Sequence, residues 1–166
     1  MLPLPGCAGK TTGLETGNRP PALGLERVAK LPEIHAQRGE SKVEKKTVLV
    51  VDDDRAVIEM LELVLKDEFR VLKAENADRA LYVLESFIPQ LIITDLNMPP
   101  GRNGIELSRI VRSNPDGKIS KVPIIMLTAE EKNIHEPVAK AVGVNRFLEK
   151  PPSFKELRLV ISELLG

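Results

Sequence analysis

A run of carboxylates and three isolated polar side chains carry the strongest chemical signal in this 166-residue sequence. Asp52 and Asp53 begin a run of carboxylates, whereas Asp95, Thr128 and Lys150 each follow a separate apolar stretch. Clustered carboxylates repel one another unless a cation shares their site, and oxygen ligands suit Mg²⁺. A hydroxyl and an ammonium group beside such a cation suit phosphoryl transfer, in which an Asp carboxylate can be the nucleophile.

The apolar pattern places these residues at the ends of strands. Residues 48–51 form a continuous apolar run, typical of a strand buried on both faces of a parallel sheet, and residues at helical spacing follow it. This alternation predicts an α/β fold, a doubly wound five-stranded parallel sheet with helices on both faces. The carboxyl ends of parallel strands share one edge, so we expect the polar residues to converge there. The predicted strands span 48–51, 69–72, 91–94, 122–127 and 146–148, and the predicted helices span 56–65, 77–87, 104–112, 137–142 and 153–164.

Each polar residue also has an ordinary structural explanation. A strand-end Asp commonly caps a helix or forms a turn, and we assign that role to Asp54, as the N-cap of the first helix. Thr128 alone would be a cap, and Lys150 alone a solvated charge. Their combination at successive strand ends favours a functional site, in which Asp53 and Asp95 hold the metal. Asp95 is the better nucleophile because it stands alone before a loop rich in Pro and Gly.

Composition divides the chain into two parts. Residues 1–43 contain 11 Gly and Pro residues and none of the five aromatics, so we expect this N-terminal extension to be disordered. Residues 44–166 carry the α/β pattern. The balance of 24 basic against 24 acidic residues argues against a nucleic-acid or membrane partner held by bulk positive charge. The apolar runs are too short to cross a bilayer, and a single cysteine excludes an internal disulfide. We therefore expect a cytoplasmic domain.

Four motifs resemble the receiver domain of two-component response regulators. They occur in the order of that family and cover about residues 45–166, so the resemblance implies a flavodoxin-like receiver fold over residues 44–166. The motifs are the run from Val48 to Asp54, the segment Asp95-Leu96-Asn97-Met98-Pro99, the triplet Leu127-Thr128-Ala129 and the pair Lys150-Pro151.

The resemblance implies a phosphoacceptor and a metal site. Asp95 would accept a phosphoryl group from a sensor histidine kinase or a phosphotransfer protein. Mg²⁺ would be bound directly by Asp53 and Asp95, through water by Asp52, and by the backbone carbonyl of Asn97.

The resemblance also implies a switch and a set of residues that control phosphoryl lifetime. Thr128 and Lys150 would stabilise the phosphoryl group, and Thr128 would move together with the aromatic residue Phe147. The peptide bond before Pro151 is usually cis in this family. Asn97 and Glu130 would flank the path of an attacking water, which implies a transient phosphoryl group. The small Ala129 would leave the pocket open to a kinase or phosphatase.

By the same resemblance the protein would be a phosphoprotein in signal transduction rather than an enzyme. Only Gly166 follows the last predicted helix, so we expect a single-domain regulator that signals by phosphorylation-dependent protein–protein interaction. The downstream target is unknown, and docking or homodimer formation would use the face of the fourth and fifth predicted helices. Two alternatives stay open: a haloacid-dehalogenase-like Mg²⁺-dependent phosphatase, and a pseudo-receiver that acts only as an interaction module without phosphorylation.

Two segments in the second half of the domain carry further expectations. Proline deep inside a helix breaks a hydrogen bond, so Pro137 predicts a fourth helix that begins late, near Glu136. Residues 114–121 are polar and are interpreted as an insertion before the fourth strand.

Overall fold

The computed structural model of the protein describes residues 44–129 and 132–166, and the expected N-terminal extension lies outside these ranges. No helix within them is both long enough and apolar enough to span a membrane. The strands are β1 (Thr47–Val51), β2 (Arg70–Ala74), β3 (Leu91–Asp95), β4 (Ile124–Thr128) and β5 (Arg146–Glu149). The helices are α1 (Arg55–Leu65), α2 (Ala77–Ser86), α3 (Gly104–Arg112), α4 (Gly117–Ser120), α5 (Lys132–Ala141) and α6 (Phe154–Leu165).

The strands form one parallel sheet in the order β2-β1-β3-β4-β5. Successive side chains of a strand point to opposite faces, so each face packs against its own helices. In β1, Leu49 and Val51 pack with α2, α3 and α5, whereas Val48 and Val50 pack with α1 and α6. The predicted doubly wound α/β fold with five parallel strands is therefore confirmed.

Local capping explains where several helices begin. The side chain of Asp54 accepts a hydrogen bond from the backbone N–H of Ala56 at 2.8 Å, so its predicted role as the cap of α1 is confirmed. Asn103 and Glu106 form a reciprocal capping box at the start of α3. These caps fix the starts of the helices that come next in the chain after β1 and β3.

The expected late start of the helix that contains Pro137 is wrong. α5 begins at Lys132 rather than near Glu136, so the proline lies inside the helix. Pro137 is in the second turn, where it removes a single i-to-i−4 hydrogen bond, and the helix continues despite that loss. The predicted fourth and fifth helices correspond to α5 and α6.

The polar segment 114–121 contains an additional short helix, α4. Asp116 caps this single turn through its side chain, and Ile119 is buried against the α2–α3 side of the core. One apolar residue in eight gave too weak a pattern to predict this turn from the sequence.

Arg112 ties together the loops at the amino edge of the sheet, where the strands begin. One planar guanidinium can serve several carbonyl oxygens because it carries five donors in a fixed fork. Its nitrogens donate to the backbone carbonyls of Ser120 (2.9 Å), Val122 (2.8 Å) and Gly143 (2.8 and 3.0 Å), and to the side-chain oxygen of Asn145 (2.9 Å). The side chain thus links the end of α3 to the loops that precede β4 and β5.

Replacing Arg112 with lysine is expected to lower the free energy of unfolding by about 2–3 kcal/mol, because an ammonium group leaves some of these oxygens without a donor. Urea denaturation followed by circular dichroism measures the change. Arg109→Lys is the matched control, since Arg109 is exposed on the same helix, and it should alter stability by less than about 0.5 kcal/mol. Equal losses in the two variants would contradict the linking role of Arg112.

Candidate functional site

The carboxyl edge of the sheet collects the predicted site residues from four strands. Asp52 directly follows β1, Asp95 ends β3, Thr128 ends β4, and Lys150 directly follows β5. β1 and β3 are neighbours in the sheet although β2 lies between them in the chain. Ligands bind at such a switch in strand order in open α/β sheets. The backbone N–H of Lys150 donates to the carbonyl of Thr128 at 2.7 Å, which holds these two strand ends together.

Three carboxylates meet at this edge. Asp52, Asp53 and Asp95 each offer an oxygen that lies within 4.8 Å of the others. Asp52 and Asp95 are 1% and 7% exposed, whereas Asp53 is exposed. Such a set fits Mg²⁺, which takes one or two carboxylates in proteins and retains several waters on its open side. Asp54 is outside the cluster because its side chain caps α1.

The ammonium group of Lys150 lies between two of these carboxylates. Its Nζ is 2.6 Å from Asp52 Oδ2 and 3.0 Å from Asp95 Oδ1. The other oxygen of Asp52 accepts the backbone N–H of Asp54 at 3.0 Å. Both oxygens of the buried Asp52 carboxylate are therefore hydrogen-bonded, as a buried charge requires. The Lys150–Pro151 peptide bond is cis, as the resemblance implied.

The pKa values of Asp95 and Lys150 are set by burial and by the charges of their neighbours. Burial raises the pKa of Asp95 above its ordinary value and the charge of Asp52 adds to the rise, while Lys150 opposes both. Burial alone would lower the pKa of Lys150, but its hydrogen bonds and ion pairs with the two carboxylates outweigh burial and raise the pKa. Lys150 therefore stays protonated, and a divalent cation would favour the ionised form of Asp95.

Three buried contacts fix the backbone around Asp95. The hydroxyl of Thr94 donates to the Asp95 carbonyl at 3.0 Å, and the N–H of Gly104 donates to the Leu96 carbonyl at 2.8 Å. Ser108 donates in turn to the Gly104 carbonyl at 2.7 Å. A Cβ atom on Gly104 would lie only 2.1 Å from the Asp95 carbonyl oxygen. The start of α3 thus packs directly on the end of β3.

Sequence reasoning identified Gly104 only as the first residue of a helix. A signal was available, because Asn103 already provides the cap and a glycine at the next position then suggests a close backbone approach. Thr94 and Ser108 gave no such signal, since buried hydroxyl groups that bond nearby carbonyls are common.

The remaining predicted residues lie in β4, in β5 and in the loops that follow β3 and β4. Thr128 is 1% exposed, and Phe147 is 4% exposed within the core on the α5 side of the sheet. Asn97 and Ala129 are exposed in the loops after β3 and β4. Glu130 lies outside the described residues. The structure therefore brings Asp52, Asp53, Asp95 and Lys150 into one cluster, and it buries Thr128 at the end of β4 and Phe147 in the core.

The sheet order and the strand-end acids together define a receiver-type fold. Residues 48–162 match the family of the response regulator receiver domain, and the chain belongs to that family. Receiver domains are signalling proteins of two-component systems, and aspartate phosphorylation and magnesium binding are features of the family. This assignment agrees with the sequence-based resemblance and leaves the haloacid-dehalogenase alternative without support.

Comparisons with individual proteins agree with this family. The chain is 36% identical over 114 residues to the DNA-binding response regulator MtrA of Mycobacterium tuberculosis, covering 68% of this chain and 47% of MtrA. It is 31% identical over 143 residues to histidine kinase P4 of Formosa agariphila, covering 86% of this chain but 10% of that kinase. The crystallised chemotaxis response regulator CheY4 of Vibrio cholerae matches with a TM-score of 0.66 and 30% identity, covering 73% of this chain and 99% of CheY4.

Substituting Gly104 with alanine is expected to lower the free energy of unfolding by about 1–3 kcal/mol, because the added methyl group overlaps the Asp95 carbonyl and forces β3 and α3 apart. Thermal unfolding measures the loss. Gly117→Ala is the matched control, since a Cβ atom there meets no heavy atom within 4 Å. A neutral Gly104→Ala variant, or an equal loss in the control, would show that this close approach does not hold Asp95 in place.

Proposed function

We propose that Asp95 accepts a phosphoryl group from a sensor histidine kinase or a phosphotransfer protein, in a Mg²⁺-dependent reaction. The observation that supports this most directly is the environment of Asp95. Its carboxylate lies within 4.8 Å of the oxygens of Asp52 and Asp53 and 3.0 Å from the ammonium group of Lys150. Two further acids and a fixed cation around one strand-end carboxylate suit a site that handles a charged phosphoryl group.

In the proposed step an oxygen of Asp95 attacks the phosphorus of a phosphohistidine. The phosphorus–nitrogen bond breaks, its electron pair returns to the imidazole ring, and an acyl phosphate forms on Asp95. Charge spreads over the equatorial oxygens in the transition state, so catalysis depends mainly on positioning and electrostatics. Lys150 is placed to neutralise one of these oxygens, and the backbone contacts of Asp95 keep the nucleophile in position.

Mg²⁺ would be held directly by Asp53 and Asp95, through water by Asp52, and by the backbone carbonyl of Asn97. The exposure of Asp53 supports this arrangement because it leaves one side of the cluster open to water and to the donor. When bound, the ion supplies positive charge to the phosphoryl oxygens.

Phosphorylation would be signalled through Thr128 and Phe147. We propose that the Thr128 hydroxyl moves toward the acyl phosphate and that the ring of Phe147 responds. Phe147 packs in the same buried cluster as Ala139 of α5, so α5 would sense a change in the ring. Ile134 and Val138 of α5 are 62% and 48% exposed, one helical turn apart. This face of α5, β5 and α6 would dock the downstream protein or a second copy.

The lifetime of the acyl phosphate would depend on residues at the entrance of the site. Asn97 and Ala129 are exposed in the loops that follow β3 and β4. We propose that Asn97, together with Glu130, flanks the path of an attacking water and that the small Ala129 leaves the site open to a phosphatase or kinase. A short-lived phosphoryl group follows from that arrangement.

Incubation with Mg²⁺ and acetyl phosphate should add one phosphoryl group to the full chain, because the small donor presents the same reacting group as a phosphohistidine. Intact-mass spectrometry measures the gain. Asp95→Asn should abolish the gain, since an amide is not the required nucleophile. Labelling that persists in Asp95→Asn would exclude Asp95 as the acceptor, and absence of labelling in the unaltered chain would favour the pseudo-receiver alternative.

Asp53→Ala should reduce the rate of phosphorylation at saturating acetyl phosphate by at least about 100-fold and remove its dependence on Mg²⁺, because a directly coordinating carboxylate is lost. Rates measured across a Mg²⁺ titration test this. Asp54→Ser is the control, since serine keeps the helix cap and Asp54 lies outside the carboxylate cluster. An unchanged Mg²⁺ midpoint in Asp53→Ala, or an equal shift in Asp54→Ser, would refute the assigned ligand.

A further inference from the structure

A concave surface lies at the amino edge of the sheet, opposite the edge that carries Asp95. This amino-edge groove is an open surface depression of about 370 Å³. It lies beside the starts of β1, β3 and β4 and the end of α6. Its walls combine aliphatic residues, among them Ile88, Val122 and Leu164, with the lysines Lys46, Lys118 and Lys121.

The groove is basic although the domain is not. Residues 44–166 carry 18 basic and 20 acidic side chains, yet no acidic residue lines the groove. Within residues 44–129 and 132–166, the ammonium groups of Lys118 and Lys121 form no ion pair. Lys46 donates to the neutral backbone carbonyl of Leu165 at 2.6 Å, and it forms no ion pair with the carboxylates of the residues that the structure describes.

The backbone that carries two of these lysines is firmly anchored. Arg112 donates to the carbonyls of Ser120 and Val122, which flank Lys121 on either side. The Asp116 cap and the buried Ile119 hold the turn that carries Lys118. A partner would therefore meet a preformed surface, and binding would not have to order the loop first.

We propose that the amino-edge groove docks an acidic segment of a partner protein, in which carboxylates flank one or two aliphatic side chains. The lysines of the groove would pair with the partner's carboxylates at the rim. The partner's aliphatic side chains would cover Ile88 and its apolar neighbours, as in interfaces with an apolar centre and a polar rim. No aromatic residue lines the groove, so it lacks the stacking platforms that bind single-stranded nucleic acid. Docking there would leave the Asp95 edge open to a kinase.

The test uses the ¹⁵N-labelled full chain, without phosphodonor or Mg²⁺, titrated with a short acetylated and amidated peptide that repeats Glu-Leu-Glu. Amide shift changes should concentrate at Lys46, Ile88, Lys118 and Lys121. The double variant Lys118→Gln/Lys121→Gln should bind about tenfold more weakly, because two rim charges are removed. The matched control Lys66→Gln/Lys155→Gln removes two exposed lysines that lie outside the groove and should leave the affinity unchanged.

Three results would overturn this proposal. The first is an absence of shift changes at the groove with millimolar peptide, and the second is equal weakening in the two double variants. The third is tighter binding at the same amides by an oligothymidylate or by vesicles containing phosphatidylserine, which would assign the groove to nucleic acid or to a membrane surface. The measurement needs no phosphorylation, so its outcome is independent of the function proposed for Asp95.

Discussion

The ion pairs of Lys150 with Asp52 and Asp95 are the interaction on which the site depends. The three groups come from the ends of β1, β3 and β5, and each is largely buried. Two buried carboxylates close together would destabilise the fold without a cation. The lysine supplies that cation and leaves Asp53 exposed at the open side. Fixed positive charge therefore lies beside the strand-end carboxylate of Asp95 in the fold itself, and the proposed phosphoryl transfer would need little rearrangement there.

The two edges of the sheet are stabilised by different means. At the carboxyl edge, Gly104 lets the start of α3 touch the Asp95 carbonyl, and Thr94 bonds the same oxygen. At the amino edge, the guanidinium of Arg112 donates to carbonyls in the loops that precede β4 and β5. Both ends of α3 therefore hold the sheet, one beside the Asp95 carboxylate and one beside the basic groove. This arrangement places the carboxylate cluster and the groove on opposite edges of the sheet.

Periodicity was sufficient to predict the sheet, five of the six described helices and the cap at Asp54, because long apolar repeats and strand-end polar residues are local signals. It failed at two places where the signal was weak or contradictory. α5 runs through Pro137 because the cost of one missing hydrogen bond is smaller than the gain from continuing a packed helix. α4 depends on Ile119 alone for its burial, and one apolar residue makes no period. Family resemblance supplied the residue roles, which periodicity cannot assign.

The sequence by itself determined the fold class and the residues that reach the carboxyl edge, since both follow from the order of apolar runs and from what comes directly after each run. Tertiary structure decided which of those residues meet. Strand order made β1 and β3 neighbours, so Asp52 and Asp95 share Lys150, and close packing of α3 gave Gly104 its importance. The groove of Lys46, Lys118 and Lys121 likewise exists only in the fold. Contacts between distant segments depend on packing, and a one-dimensional pattern carries no distances between them.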